Sequence, residues 1–391
     1  MSLQGLLIPT WVGCLGGFFF VQRPWGHLTF KSWLRSPILF WTIFLVIPQV
    51  CVVHDLAVSD VASFAPSGST NNPIFRYIHS GVLACTCLTV LAFRYHFIRY
   101  AKPLAKLLNR LSRIEIVRKE EASQYWRKTW ILAHITTTLS LIVITVSTVL
   151  FNLGVVKTIV DSGRGWLSWM GNFVYVLHAV VYFGAMSTRY VALAIIIAVT
   201  LNLGMIYRDI CDIVEKRLLD ISSRDENGSK ILLAQGCDML KRFEQFKWCA
   251  EEAEEILGPF VLVTMLASGW MLVTGVHNTL AGSYTGGLSF LVMGEQLIYI
   301  SLIFLGQYIA NMMKLRRKRL QRILTLKPYI RSTSGGKLAH LLIAFNWRLT
   351  ASNVFDVNRQ LLSGIVSNWM NYVVVIFQFQ MAMQPKSCVP A

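Results

Sequence analysis

The chain alternates between long apolar stretches and short polar ones, and the apolar stretches set its organisation. Seven of them are long enough to cross a bilayer, at about 20 residues per crossing. They cover residues 37–57, 76–97, 129–151, 169–206, 256–278, 288–313 and 361–382. The fourth is the longest and has Arg189 near its middle, in the run Met186-Ser187-Thr188-Arg189-Tyr190. That run contains no Gly, Pro or Asn to turn the chain. The pattern therefore predicts one long helix projecting beyond the bilayer, not two crossings. Between the spans, residues 207–222 place Ile206, Ile210, Ile213, Val214 and Leu218 on one helical face. Residues 238–257 form an acidic-basic amphipathic helix, and 314–331 carry the basic run Lys314, Arg316, Arg317, Lys318, Arg319 and Arg322. The expected fold class is all-α: a polytopic membrane protein with seven transmembrane helices.

Composition agrees. Of the 391 residues, 54% are hydrophobic and 15% charged, with mean hydropathy +0.51, which excludes a disordered chain or a disulfide scaffold. The formal net charge is +17. A nucleic-acid partner would be one reading of that charge, but its distribution points to membrane lipid. With the N-terminus inside, the segments 1–36, 98–128, 207–255 and 314–360 hold 31 of the 37 Lys and Arg, and the outside segments hold 3. Such a bias is what cytoplasmic loops facing anionic lipid carry. Splitting the fourth segment in two would reverse the last two of these segments and destroy the bias. The N-terminus is thus expected to be cytoplasmic and the C-terminus extracellular, opposite to a G-protein-coupled receptor. Of the eight Cys, only Cys388 falls in an outside segment, and the lone sequon Asn227-Gly228-Ser229 falls on the cytoplasmic side. No signal peptide is expected.

Catalytic chemistry finds no constellation. No GxSxG, HExxH, Walker A or GxGxxG pattern occurs, and no pair of the eight His has metal spacing. No enzyme activity, cofactor or metal is expected. The few ionisable groups at membrane depth are the natural candidates for function. Glu295 is the only acidic residue well inside a span, with Gln296 and Tyr299 beside it. Arg189 shares a helix face with Tyr182 and His178, at i−7 and i−11. Trp270, His277 and Asn278 of the fifth span could complete a pocket facing the outer half. A few polar groups among aromatics is the form a ligand site takes. The bland alternative is an Arg189–Glu295 ion pair serving structure alone. The last span carries small and polar residues at 360, 363, 364, 367, 368 and 371, with Gln378 continuing the stripe. A stripe of this kind either packs on other helices or lines water.

The last span also resembles the insect gustatory receptor family. Members end in Thr-Tyr, five hydrophobics and Gln-Phe. Here Asn371-Tyr372-Val373-Val374-Val375-Ile376-Phe377-Gln378-Phe379 matches, with Asn371 in place of Thr, and the run Ala351 to Leu362 looks like the stretch preceding the last helix. The resemblance implies a tastant-gated, non-selective cation channel built as a homotetramer, or as a heteromer with other gustatory receptors, and needing no G protein. In that reading 1–36 is a cytoplasmic segment, 37–313 holds six helices and the ligand pocket, and 314–391 holds an anchor segment and the pore-lining seventh helix. Tyr372 would pack and orient that helix, and Gln378 and Phe379 would form the outer constriction. The sugar-receptor branch carries Glu where this chain has Val373, which favours a bitter or other non-sucrose tastant. The sister odorant receptors, a G-protein-coupled receptor and a transporter are the competing readings. Phe379→Ala is expected to raise the resting cation leak in patch-clamp recordings. An unchanged leak at equal surface expression overturns the gate assignment.

Overall fold

The computed structural model describes residues 21–22, 29–30, 73–116, 173–221, 229–280 and 286–383, with a few isolated positions elsewhere. In several stretches, among them 73–87, 173–187, 270–280 and 286–295, the description stops at the backbone. The expected spans 37–57 and 129–151 lie outside the described residues, isolated positions apart.

Four long helices carry the fold: α1 (Pro73–Ile116), α2 (Phe173–Ile221), α3 (Ser229–Leu280) and α4 (Gly286–Leu326). A 3-10 turn (Pro328–Ser332), a short helix α5 (Ser334–Ala344), the strands β3 (Thr350–Ala351) and β4 (Phe355–Asp356) and a final helix α6 (Arg359–Met383) follow. Near the start, β1 (Val21–Gln22) and β2 (Thr29–Phe30) pair antiparallel. From Phe173 on, the fourth apolar segment belongs to one continuous helix of 49 residues, as the absence of a turn signal requires. At 1.5 Å per residue it runs about 70 Å, more than twice the hydrocarbon thickness of a bilayer. Within the described residues Thr188–Leu219 and Gln296–Leu326 are long and apolar enough to cross a membrane.

Helix α1 packs chiefly on α3, α2 packs on α4, and α2 and α3 touch each other. The α2–α3 pair thus separates α1 from α4. On α1 the buried stripe Val90, Arg94, Phe97, Ala101, Leu104, Leu108 and Leu111 repeats every three to four residues. That is the spacing of a helix seam facing a core. On α2 the expected stripe is also buried, with Ile206, Ile210, Val214 and Leu218 inside. Phe97 meets Phe260 of α3 at 4.7 Å between ring centroids. Lower down, Tyr207, Phe243, Phe246 and Phe345 form an aromatic cluster.

The run 350–357 folds as a tight hairpin. β3 pairs antiparallel with β4, in the register Thr350↔Asp356 and Ala351↔Phe355. Its turn residues Ser352 and Asn353 sit at φ 52° and 58°, in the left-handed region. A short polar Asn tolerates that region better than most side chains. The hairpin presses on two helices where each offers a glycine. A Cβ at Gly258 of α3 would lie 2.9 Å from the Ser352 nitrogen, and one at Gly306 of α4 would collide with the Val357 carbonyl oxygen. The hairpin leads into Asn358, whose Oδ1 accepts from the backbone N–H of Gln360 at 2.8 Å and of Leu361 at 3.2 Å. This is an N-cap, and it starts α6 two residues before the expected span.

Gly306→Ala is expected to destabilise the protein by about 1–3 kcal/mol, because backbone must move to admit the methyl group. Gly269→Ala, whose Cβ meets nothing within 4 Å, is the control. A melting temperature unchanged in Gly306→Ala contradicts the close approach.

Candidate functional site

The last helix separates its residues sharply. Leu361, Leu362 and Ile365 pack against the core, and Tyr372 is half-buried. Gln360, Ser363, Gly364, Ser367, Asn368, Asn371 and Gln378 are all exposed. The spacing 360, 363, 367, 371, 374, 378 keeps them on one face, with exposed Val374 supplying an apolar turn between Asn371 and Gln378. Ser363 Oγ donates back to the Gln360 carbonyl at 2.8 Å, and the polar stripe otherwise stands open among the described residues of its own chain. Hydroxyls and amides in a membrane need either another helix or water. The side chain of Phe379 lies outside the described residues.

A second group of polar residues is buried between the helices. Arg94 on α1, Thr188 and Arg189 on α2, Thr264 and Ser268 on α3 and Tyr299 on α4 are all nearly inaccessible. Three contacts fix their relative heights: Phe97 with Phe260, Tyr207 with Phe246, and Gly204 with Ile309. Counting outward from these at 1.5 Å per residue places Arg94, Arg189, Thr264 and Tyr299 within about 6 Å of one level. Thr264 Oγ1 donates to the Phe260 carbonyl at 2.7 Å, and Thr188, Arg189 and Ser268 also have partners. Tyr299 and Arg189 were expected as site residues, and both are buried in this layer; Gln296 is half-buried above Tyr299. The side chains of His178, Tyr182, Trp270 and Glu295 lie outside the described residues. Sequence reasoning passed over Arg94. It lies close to the inner end of its span, where an arginine normally reaches for the interface. Only its place in the buried stripe, between Val90 and Phe97, marks it as internal.

Below this layer a base ties the helices together. Tyr207 Oη donates to the Leu342 carbonyl at 2.9 Å, and Trp347 Nε1 to the Ala250 carbonyl at 3.1 Å. Burial raises the Tyr207 phenol above its ordinary range, so it stays a donor. Burial likewise pushes the Cys211 and Cys249 thiols up to about 12 and about 11, which leaves both without nucleophilic character at neutral pH. The basic run of α4 is not wholly a solvated face. Arg316 is mostly buried and pairs with Asp212 of α2, with Glu215 at 4.0 Å, whereas Lys314, Lys318, Arg319 and Arg322 are exposed. A cavity of about 540 Å³ opens beside Arg110, Trp248 and Cys249. Its guanidinium is already engaged, 3.4 Å over the Trp248 ring and 3.6 Å from Glu252.

The 7tm chemosensory receptor family matches residues 14–383, almost the entire chain. The protein belongs to that family. Two solved structures share its fold. The insect olfactory receptor OR5 from Machilis hrabei has 14% sequence identity and a TM-score of 0.72, with 96% of this chain and 98% of that chain covered. The same receptor in complex with eugenol gives 14% identity and a TM-score of 0.69 over the same shares. No curated protein matches the sequence. A seven-transmembrane chemosensory receptor is not an enzyme, in keeping with the missing catalytic constellation. A G-protein-coupled receptor is not favoured.

In this chemosensory receptor the Arg316–Asp212 pair joins α2 to α4 at the base. Asp212→Ala is expected to lower stability by about 1 kcal/mol, a charge-assisted hydrogen bond discounted for partial exposure. The exchange Asp212→Arg with Arg316→Asp is expected to recover part of that loss. A thermal melt of the purified variants in which Asp212→Ala costs nothing removes the pair from the base.

Proposed function

We propose that this receptor is a gustatory receptor: a tastant-gated, non-selective cation channel in the plasma membrane of chemosensory neurons. The observation that carries the channel reading is the last helix. It is long enough to span a bilayer, and its polar stripe is exposed along one face from Gln360 to Gln378. Copies of the chain arranged around an axis, as a homotetramer or with other gustatory receptors, would turn these stripes onto a shared water-filled path. The Val374 turn then supplies an apolar constriction that gates by losing its water. Phe379 is the candidate outer gate, Gln378 lines the path beside it, and half-buried Tyr372 orients the helix. Exposed apolar side chains on α4, at Leu297, Ile300, Phe304 and Tyr308, would face lipid or the neighbouring subunit.

The ligand pocket of this reading opens outward among the third to sixth spans, and Arg94 of the second span lies with Arg189 and Tyr299 in the buried layer at its inner end. His178, Tyr182, Trp270, Glu295 and Gln296 are its remaining candidate contacts. A ligand there favours the open state only by binding it more tightly than the closed one. The gustatory assignment within the family rests on the Tyr372 to Phe379 motif. The absence of Glu at Val373 favours a bitter or other non-sucrose tastant. The fold shared with an olfactory receptor supports the sister reading, a channel opened by odorants.

Whole-cell current in cells expressing only this chain, with G-protein signalling blocked, separates these readings. Sugars, bitter alkaloids and eugenol are applied in turn, and a C-terminal tag is read on intact cells. We expect a tastant-gated cation current and a tag visible from outside. A tag hidden until permeabilisation overturns the orientation and with it the channel. Current with eugenol alone moves the receptor to the odorant reading.

A further inference from the structure

We propose that Arg94 is the anchor for an anionic ligand, a carboxylate, at the inner end of the pocket. This inference rests on the outward-opening pocket proposed above and adds the chemical class of its ligand.

Arg94 lies in the buried seam of α1, with Val90 and Phe97 a turn to either side, and is 3% exposed. Its Nε and both terminal nitrogens are buried and have no hydrogen-bond partner among the described residues. A guanidinium carries five N–H donors in a fixed fork. Left unmatched away from water, it is among the most costly groups a protein can bury. A structural arginine in this place would bring a carboxylate with it. The layer does not supply one in balance: Arg94 and Arg189 both carry charge there, and Glu295 is the one acidic residue well inside a span. Arg189 has partners of its own. Two guanidinium groups face at most one carboxylate, so one positive charge is in surplus, and Arg94 is the one with no hydrogen-bond partner among the described residues.

A carboxylate is the shape that fits. It takes two parallel N–H donors from the fork, and a neutral hydroxyl or ester carbonyl cannot match both. Across the α2–α3 pair, Tyr299 of α4 holds a second buried polar group, its hydroxyl, without a hydrogen-bond partner among the described residues. Next to Arg94 stand aromatic rings. Phe93 stacks on Phe260 at 6.1 Å, and Phe97 and His96 meet the same ring at 4.7 and 5.8 Å. These rings close off the inner side of the guanidinium, so the apolar body of an amphiphilic acid, with its head on the guanidinium, would extend outward.

The experiment compares octanoate with methyl octanoate on the full-length receptor. Two readouts are taken, whole-cell current and the melting temperature of the purified protein. The carboxylate is expected to be at least tenfold more potent than the ester and to stabilise the protein where the ester does not. Arg94→Met is expected to abolish the difference, and Arg94→Lys to retain part of it. Benzoate, which partitions weakly into bilayers, is expected to stabilise as well; stabilisation by octanoate alone assigns the site to a lipid carboxylate instead of an external ligand and overturns the proposal. Equal effects of acid and ester, or an acid preference that survives in Arg94→Met, also overturn it. If Arg94→Met does not fold, the wild-type comparison and Arg94→Lys decide. Carboxylate-selective stabilisation without current keeps the anion site and moves the channel reading to a heteromer with another gustatory receptor.

Discussion

The wedge of the 350–357 hairpin between α3 and α4 is the constraint on which the rest of the structure depends. Its turn abuts Gly258, and its last residues abut Gly306. One residue on, Gln307 Oε1 accepts from the backbone N–H of Arg359, the first residue of α6, at 3.1 Å. Helix α4 is thereby tied through the Gln307 side chain to the backbone at the root of α6. A side chain at either glycine would hold the hairpin off and separate the two. Tight packing of this kind does not deform smoothly. A shift of α4 near Tyr299 would reach α6 through this joint rather than dissipate in a loop, which is the mechanical link the proposed gating needs.

The joint works because the base beneath it is closed. The aromatic cluster around Phe246 and the hydrogen bonds from Tyr207 and Trp347 are drawn from four parts of the chain. Thr333 caps α5 by accepting from the Gly336 N–H at 3.1 Å, and Arg331 Nε donates to the Leu324 carbonyl at 3.1 Å. The turn from α4 back toward the bundle therefore satisfies its own backbone. Arg316 and half-buried Arg317, whose charge acts on Tyr207, are drawn into this base; Lys314, Lys318, Arg319 and Arg322 remain available for solvent or anionic lipid.

The long periodic elements were legible in the sequence because hydrophobic spacing is a local signal. The unbroken α2, the stripe from Ile206 to Leu218 and the last helix all follow from it. The polar stripe on that helix was legible too, though whether it packed or stood open was not, since that depends on what the rest of the chain covers. The hairpin was visible only as a motif, since two-residue strands carry too little pattern to read. Glycines 258 and 306 were unreadable for a different reason: their role lies in a contact more than 40 residues away. Arg94 escaped because position along a span suggests the interface, and only the packing of α1 on α3 turns its side chain inward.

The two polar features of this receptor solve one problem in different ways. Within a membrane a polar group must find a partner or water. The stripe on α6 is exposed and neutral, so neighbouring copies of the helix and a column of water can satisfy it at little electrostatic cost. Arg94 is enclosed and charged, so neither remedy reaches it. A channel needs the first arrangement at its pore, where ions must pass without being held. A receptor can use the second, where binding must be strong and differ between states. A buried cation whose enclosure differs between two packings of α1 and α3 would bind an anion with unequal strength in the two states, and that inequality is what lets a ligand shift the equilibrium.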